Sequence, residues 1–413
     1  MAISSSLKSF ARSSVIFTGA SIFVNLLGYA FHIFAGRYLG PANYSEVTTI
    51  LAYATILSAP VLVASVIIIK SAGIHKNKAS YLISLQHYFD SLAHSYTSLI
   101  ALYIGLAVLG LLNHLSLTSA LIMPAFAITF IFAQLYASLL QADKLFSSLS
   151  LIITITGVIK LTGALLTPFF PSATPILLLL IISNFAQMYL VRRYLLARHG
   201  TLPALPIPTI SRNDPTIWVT LISILGLTLL NNLDIVLAKQ FLPAAEAGIY
   251  GVWSLFGKAI AFSFLPLSSV ALVFFADNEN DHNHLHILLP SIFFLVACGV
   301  LAYFAFYLLS GFMVTTLMGA KFDELIPLLP YSAIFGTVYS LIYLINNYLL
   351  SQNSRLAYLP AMITIIILVI LSAWGKSLDD FIRLITISSG GLLLLYPTTI
   401  YLRTKPAFSR LFH

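Results

Sequence analysis

Long apolar runs, separated by short polar or charged breaks, dominate the pattern along the chain. A helix needs about 20 apolar residues to cross the hydrocarbon core of a bilayer, and lipid offers no partner for stray backbone groups. The pattern therefore predicts an all-α, polytopic membrane protein with about twelve transmembrane helices. The predicted segments are 14–36, 44–69, 92–113, 118–140, 147–168, 174–191, 216–238, 247–275, 287–310, 325–350, 357–374 and 381–402.

The composition agrees with membrane insertion. Of the 413 residues, 59% are hydrophobic and 8% are charged, whereas soluble domains carry about 25% charged residues. The net charge of +8 comes from basic residues scattered between the apolar runs, so it indicates membrane orientation and not nucleic-acid binding. The single cysteine, Cys298, lies inside an apolar run, so no disulfide framework is expected.

The lysines and arginines also predict an orientation. With the N-terminus placed in the cytoplasm, 14 of the 21 fall in cytoplasmic segments and 5 fall outside, while Lys160 and Lys258 lie within the membrane. This asymmetry follows the positive-inside rule and predicts that both termini are cytoplasmic. The loop 277–286, DNENDHNHLH, is either a metal site or a solvated loop. No metal ligands are predicted there, since neither helical spacing nor cysteine supports them.

Internal similarity predicts two repeats of six helices. FAGRYLGP (34–41) pairs with LAKQFLPA (237–244), and LLQADKL (139–145) pairs with LSQNSRL (350–356), at offsets of 203 and 211 residues. Because six is even, the repeats share one orientation, which predicts two parallel six-helix bundles around a central cavity. The predicted domains are an N-terminal bundle (1–191), a cytoplasmic linker (192–215) rich in proline and polar residues, and a C-terminal bundle (216–413).

Four stretches of the chain resemble a known family. They are GRYLGPANYSEV (36–47), residues 139–166, residues 231–250 and LMGAKFDELIPLLPYSA (317–333). Taken in order, they resemble the polysaccharide flippases, which are the O-antigen and capsule repeat-unit transporters of the multidrug/oligosaccharidyl-lipid/polysaccharide exporter superfamily. The resemblance implies a bacterial or archaeal cytoplasmic membrane and a flippase that is not an enzyme. By alternating access, it would move lipid-linked oligosaccharide or polysaccharide precursors from the inner to the outer leaflet.

The resemblance also implies the partners of such a protein. The substrate would carry a diphosphate between its lipid and its glycan, and the protein would contact membrane lipids around it. Polysaccharide polymerases and glycosyltransferases are the implied protein partners, in lipopolysaccharide or capsule synthesis. No cofactor and no nucleic acid are implied.

Ionisable residues inside predicted membrane helices form the candidate site, because a charge at the bilayer centre costs at least about 2.5–3.5 kcal/mol. Lys160 and Lys258 lie near the middle of predicted helices, where each could hold the diphosphate as a point charge or form a structural ion pair. Asp234 is a candidate ion-coupling residue, or a clamp for Lys258. Asn25 and His32 share a face of the first helix and would meet the substrate, although packing is an equally simple role for His32.

The end of the first helix supplies candidate gate residues. Arg37 is expected at the outer interface, where it either snorkels to water or contacts the substrate phosphate. Gly40 ends the helix and Pro41 starts the next segment, as a tight outer turn. Glu46 is expected to pair with Arg37, as a structural lock or as one gate of a transport cycle.

Three other functions compete with the flippase prediction. A cation-coupled multidrug or toxin antiporter would need a carboxylate-lined N-terminal bundle, whereas this one has Lys160 and no deep acid. A membrane polymerase or ligase would need catalytic groups on large outer loops, and the outer loops here are short, with no nucleophile–base set. A structural scaffold would leave the cost of two midplane lysines unexplained.

Overall fold

The computed structural model of the protein describes residues 2–75, 77–200, 215–277, 285–352 and 354–396. These residues form helices joined by short turns, and no strand occurs among them. The predicted all-α, polytopic membrane class is therefore confirmed. The reason is physical: the bilayer core contains no water, so the backbone groups of an apolar segment must form their hydrogen bonds within the protein.

Thirteen α-helices follow one another through the described ranges. They are α1 (Ala2–Leu57), α2 (Ala59–Ile74), α3 (Lys78–Ala93), α4 (Tyr96–Leu112), α5 (Leu117–Ala142), α6 (Phe146–Leu165), α7 (Ala173–His199), α8 (Pro215–Phe241), α9 (Ala244–Asp277), α10 (Leu285–Met313), α11 (Leu329–Ser351), α12 (Leu359–Trp374) and α13 (Leu378–Leu393). A π-helical turn (Val314–Met318) and two 3₁₀ segments (Ala320–Leu328 and Arg355–Tyr358) connect some of them.

The spans of the described ranges can be set beside the twelve predicted segments. Within the described ranges, nine helical segments are long and apolar enough to cross a membrane, or ten if α3 and α4 form one span bent by 63°. Each of the twelve predicted segments has a helix at its position. However, α2 and α13 have only 16 residues each, which is shorter than the roughly 20 residues that a perpendicular span requires.

Two features of the helices α1 to α3 were not predicted. The segment 44–69 was predicted as one helix, but α1 ends at Leu57 and α2 begins at Ala59. Pro60 explains the break, since proline is tolerated in a first helical turn and interrupts a helix interior. The second feature is α3, whose mixture of polar and apolar residues gave no apolar run of spanning length.

The chain divides into two compact units. Unit 1 contains Met1–Leu39 and Pro60–Arg212, and unit 2 contains Gly40–Ala59 and Asn213–His413. The segment Gly40–Ala59 thus belongs to unit 2, whereas the sequence placed it in the N-terminal bundle. Much of the predicted linker 192–215 lies outside the described residues, and its role as a linker stays a prediction.

Close packing explains why residues 41–57 belong to unit 2. Gly248 on α9 lies so close to the backbone of Pro41 that a side chain at this glycine would collide with the carbonyl of Pro41. One turn later, Gly251 faces the side chain of Thr48, with about 3.1 Å available to an added Cβ. Tyr44 is fully buried, and its ring meets Phe322 edge-on at 6.4 Å.

Unit 1 has an apolar core beside the C-terminal parts of α5 and α7. Buried side chains of α3, α5 and α7 form it, including Leu82, Phe89, Tyr136, Leu139 and Leu195. The helix α3 therefore packs its apolar face against α5 and α7 and leaves the rest of its surface outside. This arrangement is typical of an amphipathic helix at the edge of a bundle.

Candidate functional site

Asp234 is the best-defined candidate residue of unit 2. Its side chain is 3% exposed on α8. One carboxylate oxygen, Oδ2, accepts hydrogen bonds from the hydroxyls of Tyr250 and Ser254, both at 2.9 Å. The other oxygen, Oδ1, has no hydrogen-bond partner among the described residues. Such a group is costly in an apolar interior, so the free oxygen marks a place where a cation or proton would be stabilised.

A small recess opens beside this carboxylate. It is an open cleft between α8, α12 and α13, with room for about one water molecule. Apart from Asp234, its only polar lining residue is Thr364, whose hydroxyl already donates to the carbonyl oxygen of Pro360 at 2.8 Å. The remaining lining residues are Leu229, Leu230, Leu233, Leu237, Ile367, Leu368 and Ile385. The recess is thus apolar, with a single carboxylate on its wall.

Lys258 lies on the same face of α9 as the two hydroxyl donors, because residues 250, 254 and 258 are four apart. The side chain is 9% exposed, and its ammonium donates a long hydrogen bond of 3.5 Å to Oδ1 of Asn232. Its charge interacts electrostatically with Asp234. In the described part of the chain, however, Lys258 and Asp234 form no direct ion pair. The two charged groups therefore lie near enough to interact, but they are not in direct contact.

Lys160 is the corresponding basic residue of unit 1. It lies on α6, one turn beyond the buried Thr156, and is partly buried. Neither a hydrogen bond nor an ion pair joins its ammonium to any residue that the structure describes. An ammonium without an anionic partner inside an apolar bundle is energetically expensive. Lys160 therefore stays a candidate substrate residue.

The first helix runs beside this part of α6. Gly157 packs against Leu27, at 3.2 Å from an added Cβ, and against Val24. Asn25 lies on the same stretch of α1 and is exposed, as is Gly28 three residues later. His32 is half-buried, and its ring meets Phe31 edge-on at 5.1 Å. Of the two predicted substrate groups on α1, Asn25 is the more accessible.

The predicted gate residues lie at a kink. Gly40 has a φ of +72° and a ψ of 171°, a conformation in the left-handed half of backbone space that other residues rarely adopt. It ends the first arm of α1, and Pro41 starts the second arm. Arg37, on the first arm, is exposed.

Glu46 on the second arm lies beside a buried lysine. The ammonium of Lys239 is 3.6 Å from Oε1 of Glu46 and donates a hydrogen bond of 2.9 Å to Oγ of Ser45. Lys239 is only 3% exposed. The predicted pair of Glu46 with Arg37 stays a prediction, whereas the contact with Lys239 is a feature that sequence reasoning missed.

Two missed residues had a signal in the sequence. Tyr250 lies four residues before Ser254 and eight before Lys258, so helical spacing alone puts it on the candidate face. Lys239 lies five residues after Asp234, near the end of a long apolar helix. The sequence could not identify its partner, Glu46, which lies 193 residues earlier in the chain. The histidine-rich loop 277–286 falls largely outside the described residues.

Comparison with known proteins adds a fold-level relationship. No protein-family profile and no curated protein matches the sequence. Solved structures do match. The lipid II flippase MurJ, in an inward closed conformation, has a TM-score of 0.69 and 14% identity, covering 94% of this chain and 87% of MurJ. An inward-facing multidrug-resistance MATE transporter of the MOP superfamily has a TM-score of 0.70 and 13% identity, covering 92% and 96%. Its outward-facing counterpart has a TM-score of 0.59 and 14% identity, covering 94% and 93%.

The chain shares its fold with these solved transporters. The coverage on both sides means that the likeness extends over nearly the whole of each chain. The likeness agrees with the fold that the resemblance implied, and it does not distinguish the polysaccharide flippases from other proteins of this fold. At 13–14% identity, these neighbours carry the fold, and the function must be argued from the residues of this chain.

Proposed function

We propose that the protein is a flippase that moves a lipid-linked, negatively charged oligosaccharide from the inner to the outer leaflet by alternating access. The observation that carries the proposal is the charge of unit 1. Its sequence contains only two acidic residues, Asp90 and Asp143, which lie on the short helix α3 and just after the end of α5. Lys160 is therefore the only charged group in the middle of a spanning helix there, and it favours an anionic ligand.

The proposed mechanism gives one lysine of each unit the same task. Lys160 and Lys258 attract the diphosphate of the substrate as point charges, and each lies in a polar stretch of its helix. Asn25 and His32 offer an amide and an imidazole to the sugars. The lipid chain stays in the bilayer, so only the polar head needs a protein path. Rocking of one unit against the other would then expose the head to the opposite side.

Asp234 is proposed as the ion-coupling residue. The free Oδ1 gives a proton or a small cation a carboxylate that is shielded from water, and intramembrane acids commonly serve this purpose. Gly40 and Pro41 would act as the hinge between the arms of α1, with Arg37 and Glu46 as gate charges at that hinge. The contact of Glu46 with Lys239 supports such a role, because a buried ion pair is costly to open by removing one partner.

The location and partners follow from this function. The excess of lysine and arginine on one side favours a cytoplasmic membrane with both termini in the cytoplasm. The substrate class favours O-antigen or capsule precursors made by glycosyltransferases and joined by a polymerase.

The deciding experiment uses the full-length protein in liposomes. A fluorescent undecaprenyl-diphosphate glycan is placed in one leaflet, and its accessibility to a membrane-impermeant quencher on the other side is followed. We expect flipping by the wild type, a loss of at least about tenfold in Lys160→Ala and in Lys258→Ala, and no change in Lys376→Ala, which removes an exposed loop lysine. Folded wild-type protein that leaves the glycan in its original leaflet would overturn the proposal.

A cation-coupled multidrug antiporter is the second candidate. The specific observation in its favour is Asp234, a buried carboxylate that is not neutralised by a direct ion pair. This function predicts export of a cationic dye from the same liposomes when a proton or sodium gradient is imposed. It also predicts that Asp234→Asn abolishes export while Lys160→Ala leaves it intact. Dye export with that pattern, without glycan flipping, would replace the flippase proposal.

A further inference from the structure

One end of unit 1 carries an unbalanced positive charge. Lys78 begins α3 and Lys144 closely follows α5, while Arg192, Arg193 and Arg198 lie in the last eight residues of α7. The only acidic residues that the sequence of unit 1 offers are Asp90 and Asp143. These five basic residues, together with His199, therefore have only two carboxylates of unit 1 available to them.

Both carboxylates are already occupied. Asp143 is contacted by Lys78 at 3.2 Å, by Arg198 at 3.3 Å and by His199 at 2.8 Å. Asp90 is contacted by Arg192 at 3.4 Å and accepts a hydrogen bond from the hydroxyl of Tyr136. Arg193 is left exposed, and no ion pair joins it to any residue in the described part of the chain.

Arg193 lies where an apolar surface ends. On α7, four exposed residues form one stripe at spacings of three and four residues: Leu178, Ile182, Phe185 and Tyr189. Tyr189 is 61% exposed, and aromatic residues of this kind mark the boundary between hydrocarbon and head groups. Arg193 follows it by one helical turn, or about 6 Å along the axis. Its place one turn beyond this aromatic residue is the place expected of a guanidinium that meets lipid head groups.

The helix α3 forms the second wall of this surface. The ion pair of Asp90 with Arg192 holds the end of α3 beside this turn of α7. Tyr88 and Leu92 on α3 are exposed there, although most of the helix is buried against the bundle. An amphipathic helix that meets α4 at a bend of 63° and exposes aromatic and aliphatic groups next to arginines suits a membrane interface.

We propose that Arg193, together with Tyr189 on α7 and the exposed edge of α3, binds the phosphate of an anionic phospholipid in the adjacent leaflet. A phospholipid fits each part of this surface. Its acyl chains follow the apolar stripe of α7, its phosphate meets the unpaired guanidinium and the phenol, and its negative charge balances the local excess. A planar guanidinium with several donors is well matched to phosphate oxygens, and polybasic surfaces next to spanning helices attract anionic lipids. The proposal does not depend on the transported substrate.

The test measures which lipids stay bound to the protein. The full-length chain is placed in nanodiscs with equal amounts of phosphatidylglycerol and phosphatidylcholine, and the lipids retained after release into the gas phase are counted by native mass spectrometry. We expect the wild type to retain phosphatidylglycerol preferentially. Arg193→Gln should reduce that preference roughly fivefold, in line with about one basic contact, and Arg193→Lys should retain most of it.

A matched control separates a site from a general charge effect. Arg383 is exposed like Arg193, and its side chain is paired with Asp379 on α13 at 2.8 Å. Arg383→Gln should leave lipid preference unchanged. Equal losses in both variants, or no loss in Arg193→Gln, would overturn the proposal. Displacement of the lipid by millimolar pyrophosphate would also overturn it, because the surface would then be a site for soluble phosphates.

Discussion

The two oxygens of Asp234 have different surroundings, and this difference determines what the residue can do. Oδ2 accepts two hydroxyl hydrogen bonds, from Tyr250 and Ser254, while Oδ1 has no partner among the described residues. Hydrogen bonds to a charged group contribute about 1.5–3 kcal/mol each. The two hydroxyls therefore hold Oδ2 in place, and Oδ1 is left as the oxygen to which a proton or ion could bind.

This arrangement predicts a charge-dependent effect of Tyr250→Phe. Removing the hydroxyl should destabilise the protein by about 1.5–3 kcal/mol, measured by denaturant titration in detergent. In an Asp234→Asn background the same change should cost less than half as much, because the acceptor no longer carries a charge. Tyr307→Phe, on an exposed face of α10, serves as the control and should be neutral. A cost for Tyr250→Phe that is equal in both backgrounds would mean that the ring only packs.

Single residues also show where sequence reasoning reaches its limit. Asp234 and Lys258 could be recognised from the sequence, because a charge within an apolar run is conspicuous. The Lys239–Glu46 contact could not, since it depends on which helices are neighbours and joins residues 193 positions apart. The asymmetry of the Asp234 oxygens depends on rotamers of α9 and had no counterpart in the residue pattern.

At the scale of elements, the tightest feature is the contact between α9 and the second arm of α1. Gly248 allows the backbone of Pro41 to approach α9 directly, and the Lys239–Glu46 pair lies on the same arm. Small residues are the usual means by which membrane helices pack closely. Close packing against α9 and the ion pair with Lys239 therefore both hold residues 41–57 in place. These contacts account for the assignment of the segment to unit 2.

Gly248→Ala tests how much the close packing of α9 against Pro41 contributes to stability, apart from the Lys239–Glu46 ion pair. The new methyl group would meet the Pro41 carbonyl, so the helices must move apart, at a cost of about 1–3 kcal/mol. The midpoint of thermal unfolding in detergent should fall accordingly. Gly390→Ala is the matched control, because a methyl group at this helical glycine of α13 meets nothing within 4 Å. An unchanged midpoint in Gly248→Ala would show that the arm is not tightly packed against α9.

The apolar pattern located the helices well and the breaks between them less well. Segments such as 118–140 and 147–168 correspond to α5 and α6 within a few residues, because a spanning helix must be apolar over its whole length. The break before Pro60 and the amphipathic helix α3 were missed for the opposite reason. A proline can sit inside an apolar run, and an amphipathic helix needs no apolar run at all.

At the scale of the whole molecule, charge is distributed unevenly. The acidic residues of unit 1 are confined to Asp90 and Asp143, whereas unit 2 holds Asp234 in its interior. The two units therefore differ in electrostatics. In the proposed flippase, unit 1 supplies attraction for the anionic head and unit 2 supplies attraction together with a site for a coupling ion. A functional division of this kind could not be predicted from helix counting, since it depends on which charges are paired.

The same distribution predicts that transport responds to membrane potential. Moving one negative charge outward across a membrane that is negative inside gains about 2.3 kcal/mol per 100 mV, and a diphosphate carries more than one charge. We expect outward flipping of the diphosphate-linked glycan to accelerate several-fold when an inside-negative potential is imposed with potassium and valinomycin, and to slow when the potential is reversed. Protein-free liposomes control for leak. A rate that is insensitive to potential at fixed ion gradients would mean that the head group crosses with its charge compensated, and the driving force would then have to come from an ion bound at Asp234.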